Sequence, residues 1–244
     1  MKSVENVYTN PVSCRDCRMN TLCIPLSLRS EELYKLDQII QRGSPYREKH
    51  AVFNSGEKFT AVYAIRSGSI KSFCIDNDGR EQVTGFYLPG EIFGWDGLAE
   101  NYYLNTAVAM ETTSVCEIPY KQLDLLSATI PSIHKHMMKL IGREIGADQK
   151  LIALLAGNSA HQRIASLLLS LSARLAQQKL SSTRFRLPMS RGEISNYLGL
   201  TVETVSRGFS HFQREGYLLV NKKEIEIIDK PGLEQLLTNP EECA

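Results

Sequence analysis

The apolar positions of this chain keep three different periods in turn. In "SLRSEELYKLDQIIQRG", Leu33, Leu36, Ile39 and Ile40 share one face of a short amphipathic helix, with Ser30 as the expected N-cap and Gly43 as the stop. From about residue 44 to 120 the texture shifts to short β-rich runs such as "AVYAIRSG", "SIKSFCI" and "EQVTGFYLPG", punctuated by Gly56, Gly68, Gly79 and Gly90. Strands this short at this spacing predict a small antiparallel sandwich or roll, and turn chemistry alone accounts for its glycines. From Pro131 to about Gly157 the period becomes helical. Ile141, Ile145, Asp148, Ile152 and Leu155 are spaced 4, 3, 4 and 3 residues apart, which is the seam of a coiled coil. Such a helix is long enough to pair with a second copy of itself; the competing reading packs it on its own roll. Asp148 favours the pairing. A carboxylate amid an apolar seam is costly, and two of them facing each other repel, so the dimer is expected to be marginal and switchable.

A further helix is predicted at about 160 to 179, with Ile164, Leu167, Leu168 and Leu171 apolar. Then comes "MSRGEISNYLGLTVETVSRGFSHFQREGYL". Ser190 and Glu193 form a capping box, Gly199 ends that helix, and Thr201 caps a second one running to about Glu215. Helix, glycine turn and helix make a helix-turn-helix. Val202, Val205, Phe209 and Phe212 are expected inside, leaving Glu203, Ser206, Arg207 and Ser210 on the face that a recognition helix turns to base edges. Arg207 suits a bidentate contact with guanine, and Glu203 suits the amino group of cytosine. "YLLVNKKEIEII" reads as a hairpin about Asn221 and Lys222, with Ile225 and Ile227 alternating, and so as a wing over the DNA backbone. The expected DNA-facing set is Glu203, Ser206, Arg207, Ser190, Thr201, Thr204 and Lys222.

Composition sharpens this reading in two places. The 244 residues carry a net charge of only +1, but residues 184–223 hold seven basic side chains against three acidic, a local excess suited to phosphate. No apolar run reaches the roughly 18 residues of a membrane span, and "MKSVENVYTNPVSC" is no secretory signal, so a cytoplasmic protein without a membrane partner is expected. In that reducing compartment stable disulfides are rare. Three of the six cysteines nevertheless crowd into "CRDCRMNTLC". Cys14, Cys17 and Cys23 read C-x2-C-x5-C, a spacing that suits either tetrahedral zinc or an iron–sulfur cluster. Three thiols leave one ligand to find among Cys74, Cys116 and Cys243. Neither a Rossmann glycine fingerprint nor a Walker loop is present, which speaks against a redox enzyme or electron carrier.

Taken together, C-x2-C-x5-C followed by "IPLSL", then "AIRSGSIK", "EQVTGF", "CEIP" and "YLGLTVETVSR", resemble the cyclic-AMP receptor protein superfamily over nearly the whole chain. They resemble most its fumarate and nitrate reduction (FNR) branch of oxygen sensors. The resemblance implies an α+β fold with an N-terminal antiparallel β-roll sensor domain, a long dimerisation helix and a C-terminal winged helix-turn-helix domain. It divides the chain into a cysteine-rich segment at 1–29, the roll at 30–130, the dimer helix at 131–158 and the DNA-binding domain at 159–244. It further implies a [4Fe–4S] cluster on Cys14, Cys17, Cys23 and Cys116, with Cys74 and Cys243 dispensable. The branch's E-x-x-S-R reading residues fall on Glu203, Ser206 and Arg207, its half-site resembles TTGAT, and its partners are a second copy of the chain, operator DNA and RNA polymerase. A same-fold regulator with zinc or no metal on its thiols is the alternative. Two departures stand out. "GEIFGWDGLAENYYLNTAVAME" lacks the arginine with which the nucleotide-binding members pair a cyclic phosphate, so no cyclic nucleotide is expected. Arg18 stands where members of the branch often carry a small polar residue after the second cysteine.

Overall fold

A computed structural model of the protein describes residues 13–20, 22–24 and 28–238. Its first half is the expected antiparallel sandwich. Strands β1 (Ala51–Phe53), β2 (Ala61–Ser67), β3 (Ile70–Ile75), β4 (Glu81–Tyr87), β5 (Ile92–Phe93), β6 (Thr106–Ala109) and β7 (Ser114–Pro119) form two sheets, in the orders β1-β6-β3-β4 and β5-β2-β7. All pairings are antiparallel. Phe53, Tyr63, Phe93 and Tyr103 pack together between them, while Val62, Ala64 and Ile118, on the other face of β2 and β7, are buried as well. Gly56, Gly68, Gly79 and Gly90 all have positive φ, as turns between short strands require.

Helix α1 spans Ser30–Ile39, and it corrects both expected ends. Arg29, not Ser30, holds the cap position, and its backbone N–H donates to the Glu32 carboxylate at 2.9 Å. The helix stops before Gly43 because Gln41 is recruited as a strand partner of Glu117, with hydrogen bonds of 2.8 and 2.9 Å in the two directions. Tertiary pairing outweighs the local glycine stop. Leu36 and Ile40 are buried in the roll core, and Leu33 and Ile39 pack against it.

Helices α2 (Tyr120–Thr129) and α3 (Pro131–Gly157) follow. Pro131 opens α3 at a position whose N–H would be unpaired anyway. Near its start α3 buries Ile133, His136 and Met137 against the roll, but further along Ile145 and Ile152 are 53% and 66% exposed. Helix α4 (Ala160–Gln177) is capped by Ser159, which accepts from the Gln162 N–H.

The last third comprises β8 (Arg184–Arg186), α5 (Arg191–Leu198), α6 (Val202–Arg214), β9 (Leu218–Asn221), β10 (Glu224–Ile227) and α7 (Lys230–Thr238). Ser190 and Glu193 make the reciprocal capping box. Gly199 takes the left-handed conformation (φ 61°, ψ 40°) that a side chain would resist, and Thr201 accepts from the Thr204 N–H at 3.1 Å. Val205, Phe209 and Phe212 are buried as expected. Val202 is not: at 51% exposure it lies in the first turn of α6, beyond the edge of the core its stripe points toward. The wing turns on Lys222 and Lys223 rather than Asn221 and Lys222, since Asn221 pairs with Glu224, and Lys222 supplies the positive φ of 56°. Strand β8, outside the expected hairpin, joins as its third member by pairing with β10.

The two halves meet on strand β4, the edge of its sheet. Ser72 pairs with Gly85 and Phe73 with Val83, so Thr84 is a bulge. The extra residue resets the alternation and puts Val83, Phe86 and Leu88 on the outer face, where all three join the core of the DNA-binding half. Phe86 stacks obliquely on Tyr197 at 5.0 Å. Asn196 of α5 satisfies the open edge. Its Oδ1 accepts from Val83 N–H at 2.6 Å, its Nδ2 donates to the Glu81 carbonyl at 2.6 Å, and its own carbonyl accepts from Gln82 Nε2 at 3.0 Å. Arg174 of α4 adds a fork to the Glu91 carboxylate and a bond to the Phe86 carbonyl, and Lys71 reaches Glu193 at 3.2 Å. Asn196→Ala leaves a strand N–H and a carbonyl without partners. It is expected to cost about 1–3 kcal/mol, read as a lowered urea midpoint; an unchanged midpoint would show that water replaces the amide at no cost.

Candidate functional site

The cysteine segment lies on the roll because the roll makes room for it. Met19 and Leu22 sit over Gly90, whose missing Cβ would come within 2.9 Å of the Leu22 Cβ. Turns at 14–16 and 18–20 are closed by Asp16 N–H to the Ser13 carbonyl (3.1 Å) and Asn20 N–H to the Cys17 carbonyl (3.0 Å). Ile24 is fully buried and Cys14 nearly so, both within the roll core. Cys116, on β7 opposite Ala64, is buried in that core as well, and Cys17 and Cys23 are half-buried at its margin. Cys74 is elsewhere, near the end of β3, with its thiol 3.8 Å from the Gln82 carbonyl. Cys243 lies outside the described residues.

The four thiols are electrostatic neighbours. Burial pushes the Cys23 thiol up to about 12, and its neighbours Cys116 and Cys17 push the same way. Burial likewise raises Cys14, reinforced by its hydrogen bond to Asp37, and raises Cys116 against the opposing pull of Arg42 and Arg66. Among the described residues no three His, Cys, Asp or Glu side chains already form a metal-ligating group. Beside Cys14 lies a feature the sequence reading missed, an Asp37–Arg42 ion pair whose guanidinium also acts electrostatically on Cys116. Asp37 Oδ1 accepts from the Cys14 N–H at 2.8 Å and from Arg42 Nη2, and Arg42 Nη2 also lies 3.3 Å from Cys14 Sγ. Burial opposes ionisation of Asp37, yet the bonds from Cys14 and Arg42 together hold its carboxyl below the ordinary range. The five-residue spacing of the pair across a helix end gave no periodic signal.

The roll's interior is packed with aromatic rings, and beside them lies a cavity of about 230 Å³ that Phe53, Asp96, Asn105, Ile141 and Glu144 help to line. Phe53 stacks on Tyr103 at 3.8 Å and packs on Tyr63 and Phe93. At that cavity the Asp96 carboxylate accepts from Leu104 N–H, Asn105 N–H and Asn105 Nδ2 at 3.0, 2.8 and 3.0 Å.

On α6, Glu203, Ser206 and Arg207 are exposed together, as expected, with Thr204 half-buried beside them. Arg207 Nη2 reaches Glu203 Oε1 at 2.6 Å, a solvated pair one helical turn apart that is cheap to open for base contacts. Ser206 donates to the Val202 carbonyl at 2.8 Å, and Arg191 stacks on the Phe209 ring at 3.6 Å. Ser190 and Thr201 cap the two helices whose N-termini flank this face, and Lys222 is at the wing tip. On α3, Asp148 is exposed between Ile145 and Ile152; partial desolvation raises its carboxyl, and it has no ion-pair partner among the described residues. Ile141 and Leu155, at the ends of the stripe, are half-buried.

A β-roll, a long helix and a winged helix-turn-helix with an exposed Glu-Ser-Arg face define a DNA-binding transcription regulator, not an enzyme. Comparison with known proteins agrees. Residues 44–129 match the cyclic nucleotide-binding domain and residues 162–236 the Crp-like helix-turn-helix domain. The chain is 46% identical to the transcriptional activator protein FnrA of Stutzerimonas stutzeri over 90% of both chains. It is 44% identical to the fumarate and nitrate reduction regulatory protein of Escherichia coli over 92% of this chain and 90% of that one. The solved structure of FixK2 from Bradyrhizobium japonicum, at 28% identity, superimposes with a TM-score of 0.74 over 81% of this chain and 97% of that one. The chain therefore belongs to the FNR-type regulators of the cyclic-AMP receptor protein superfamily.

Proposed function

We propose that this regulator is a cytoplasmic, oxygen-responsive activator that holds a [4Fe–4S] cluster on Cys14, Cys17, Cys23 and Cys116. With the cluster bound it pairs through α3 and binds a two-fold operator with TTGAT-like half-sites, where it meets RNA polymerase. The observation that carries this reading is the meeting of an N-terminal thiol triplet with Cys116 at the roll. The donor set fits the group: four thiols that influence one another electrostatically, Asp37 beside Cys14 neutralised by Arg42, and a buried Arg42 Nε without a partner among the described residues. When bound, the cluster supplies an oxygen-labile core whose loss frees all four ligands.

The residues do the rest. Cys116 ties the segment carrying Cys14, Cys17 and Cys23 to β7, and the same core holds Ile133 and Met137 of α3. Bracing the start of α3 favours the association of two copies along the exposed stripe of Ile145 and Ile152, against the repulsion of facing Asp148 carboxylates. Release of the segment removes the brace. A monomer covers one half-site and forfeits the gain of two linked contacts. A cyclic nucleotide has no part in this reading: residues 90–111 carry no arginine to pair with a cyclic phosphate, and the cavity beside the roll presents the Asp96 carboxylate instead.

Single Cys→Ser variants test the cluster. Cys14, Cys17, Cys23 and Cys116 are each expected to abolish stoichiometric iron and sulfide after anaerobic purification, while Cys74→Ser and Cys243→Ser keep both. A Cys116→Ser protein with full iron and sulfide would remove the fourth ligand. A wild type that binds zinc, or no metal at all, would favour a regulator of the same fold with another effector.

Arg207→Ala and Glu203→Ala should each weaken operator binding by about 1–3 kcal/mol and relax discrimination at one base pair. Lys222→Ala should instead weaken all sequences alike and flatten the salt dependence. Gel-shift titration against matched and mutated half-sites separates the two; intact discrimination in Arg207→Ala would move the reading face elsewhere.

Asp148→Ala removes the repulsion from the stripe. It is expected to dimerise and bind operator in air, without iron. Sedimentation beside wild type decides, since an Asp148 merely solvated at a helix edge would change stability by under about 0.5 kcal/mol and leave the aerobic protein monomeric.

A further inference from the structure

The Asp37–Arg42 pair is the feature of the thiol site that ligand counting does not use. Arg42 is the residue next to Gly43 at the foot of the α1–roll connection, and its side chain is only 11% exposed. Nothing in a turn requires a buried guanidinium there. Burying one is costly unless its donors are used and its charge is matched. Asp37 matches the charge and accepts from Nη2, and the Ile40 carbonyl is 3.5 Å from Nη1. Asp37 is itself pinned, because it also accepts from the Cys14 backbone N–H. The guanidinium is therefore fixed in place from the first cysteine's own backbone. From that position Nη2 lies 3.3 Å from Cys14 Sγ, and Nε points into the buried region with no partner among the described residues. Arg42 acts electrostatically on Cys14 and on Cys116 alike, the first thiol of the triplet and the thiol from β7.

We propose that Arg42, locked by Asp37, is a positioning residue for the cluster: a buried cation and N–H···S donor that joins Cys14 to Cys116 and offsets the cluster's negative charge. The inference rests on the cluster reading above. Four thiolates on a 2+ core carry roughly two net negative charges, and placing them at a margin as dry as this one is unfavourable without a counter-charge. Asp37 cancels Arg42 while the thiols are protonated and neutral. With the thiols as cluster ligands, the guanidinium, whose Nη2 is 3.3 Å from Cys14 Sγ, would serve both Asp37 and sulfur. Hydrogen bonds to ligand sulfur are among the means by which a protein tunes such a site. Arg66 adds a second positive charge on the Cys116 side, but exposed Arg15 and Arg18 are solvated and contribute little.

Charge and geometry are separable by substitution. Arg42→Gln keeps a polar donor of lesser reach and removes the charge; Arg42→Lys keeps the charge and loses the fork. Wild type and both variants would be reconstituted anaerobically, and cluster loss to an iron chelator followed by visible absorbance without oxygen, so that no step depends on DNA binding. Arg42→Gln is expected to lose its cluster at least tenfold faster than wild type, with Arg42→Lys between the two. Thermal melts of the metal-free proteins establish that each is folded. If Arg42→Gln fails that control, Asp37→Asn takes its place: it keeps an oxygen for the Cys14 N–H, unlocks the guanidinium, and should also shed the cluster several-fold faster than wild type. A folded variant, Arg42→Gln or its replacement, that holds its cluster as long as wild type overturns the inference, as does an Arg42→Lys no better than Arg42→Gln. A wild type that takes up no iron and sulfide overturns the cluster reading instead.

Discussion

Strand β4 serves two hydrophobic cores at once, and the rest of the architecture depends on it. As the edge of a sheet it would present open N–H and carbonyl groups along its length, a liability in any β protein. The bulge at Thr84 turns Val83, Phe86 and Leu88 outward, and the DNA-binding half closes over them. Lys71, opposite Phe86 on β3, shares that face and explains its ion pair with Glu193. The amide of Asn196 then does for β4 what another strand would have done. Sensor and reader are thus joined by apolar burial and satisfied edge bonds as well as by the covalent path through α3 and α4.

What could be read from the sequence follows from which forces act locally. The capping box at Ser190, the left-handed Gly199 and the cap at Thr201 are decided within four residues of themselves, and each is found where the sequence pattern puts it. The end of α1 is decided by Glu117, far along the chain, and so Gly43 misled. The same holds for β8, whose three residues become a strand only because β10 is there to pair with, and for Val202, whose stripe is right but whose core ends one turn later. The thiol triplet was legible as a spacing. Its electrostatic surroundings were not, since Asp37 and Arg42 sit at no helical or strand period relative to the cysteines they serve.

The near-zero net charge hides local detail. Basic residues gather at the winged domain, and the seam helix brings Glu144 and Asp148, with Arg143 and Lys150, to the groove between roll and reader. Glu144 is satisfied by the Tyr87 hydroxyl at 2.7 Å, and burial, with lesser help from Asp148, raises its carboxyl. Asp148 raises Glu144 but has no donor of its own among the described residues. Of the two carboxylates one is bound into the fold and one is left exposed, on the stripe with Ile145 and Ile152.

That contrast bears on how a signal at the thiols travels. The cysteine segment shares a core with α1, β7 and the beginning of α3, while the reader is fastened to β4 and to α4. On the proposed reading, a change at Cys14 bears on the first turns of α3, which share its core. Arg174, forked onto Glu91 and bonded to the Phe86 carbonyl, clamps α4 to the roll at the opposite corner. With reader and roll held together, a loosened α3 start has one inexpensive outlet, the exposed stripe, where no buried bond has to break. On the proposed reading, then, the switch acts on how many copies meet at the operator, and the base contacts of each copy stay as they are.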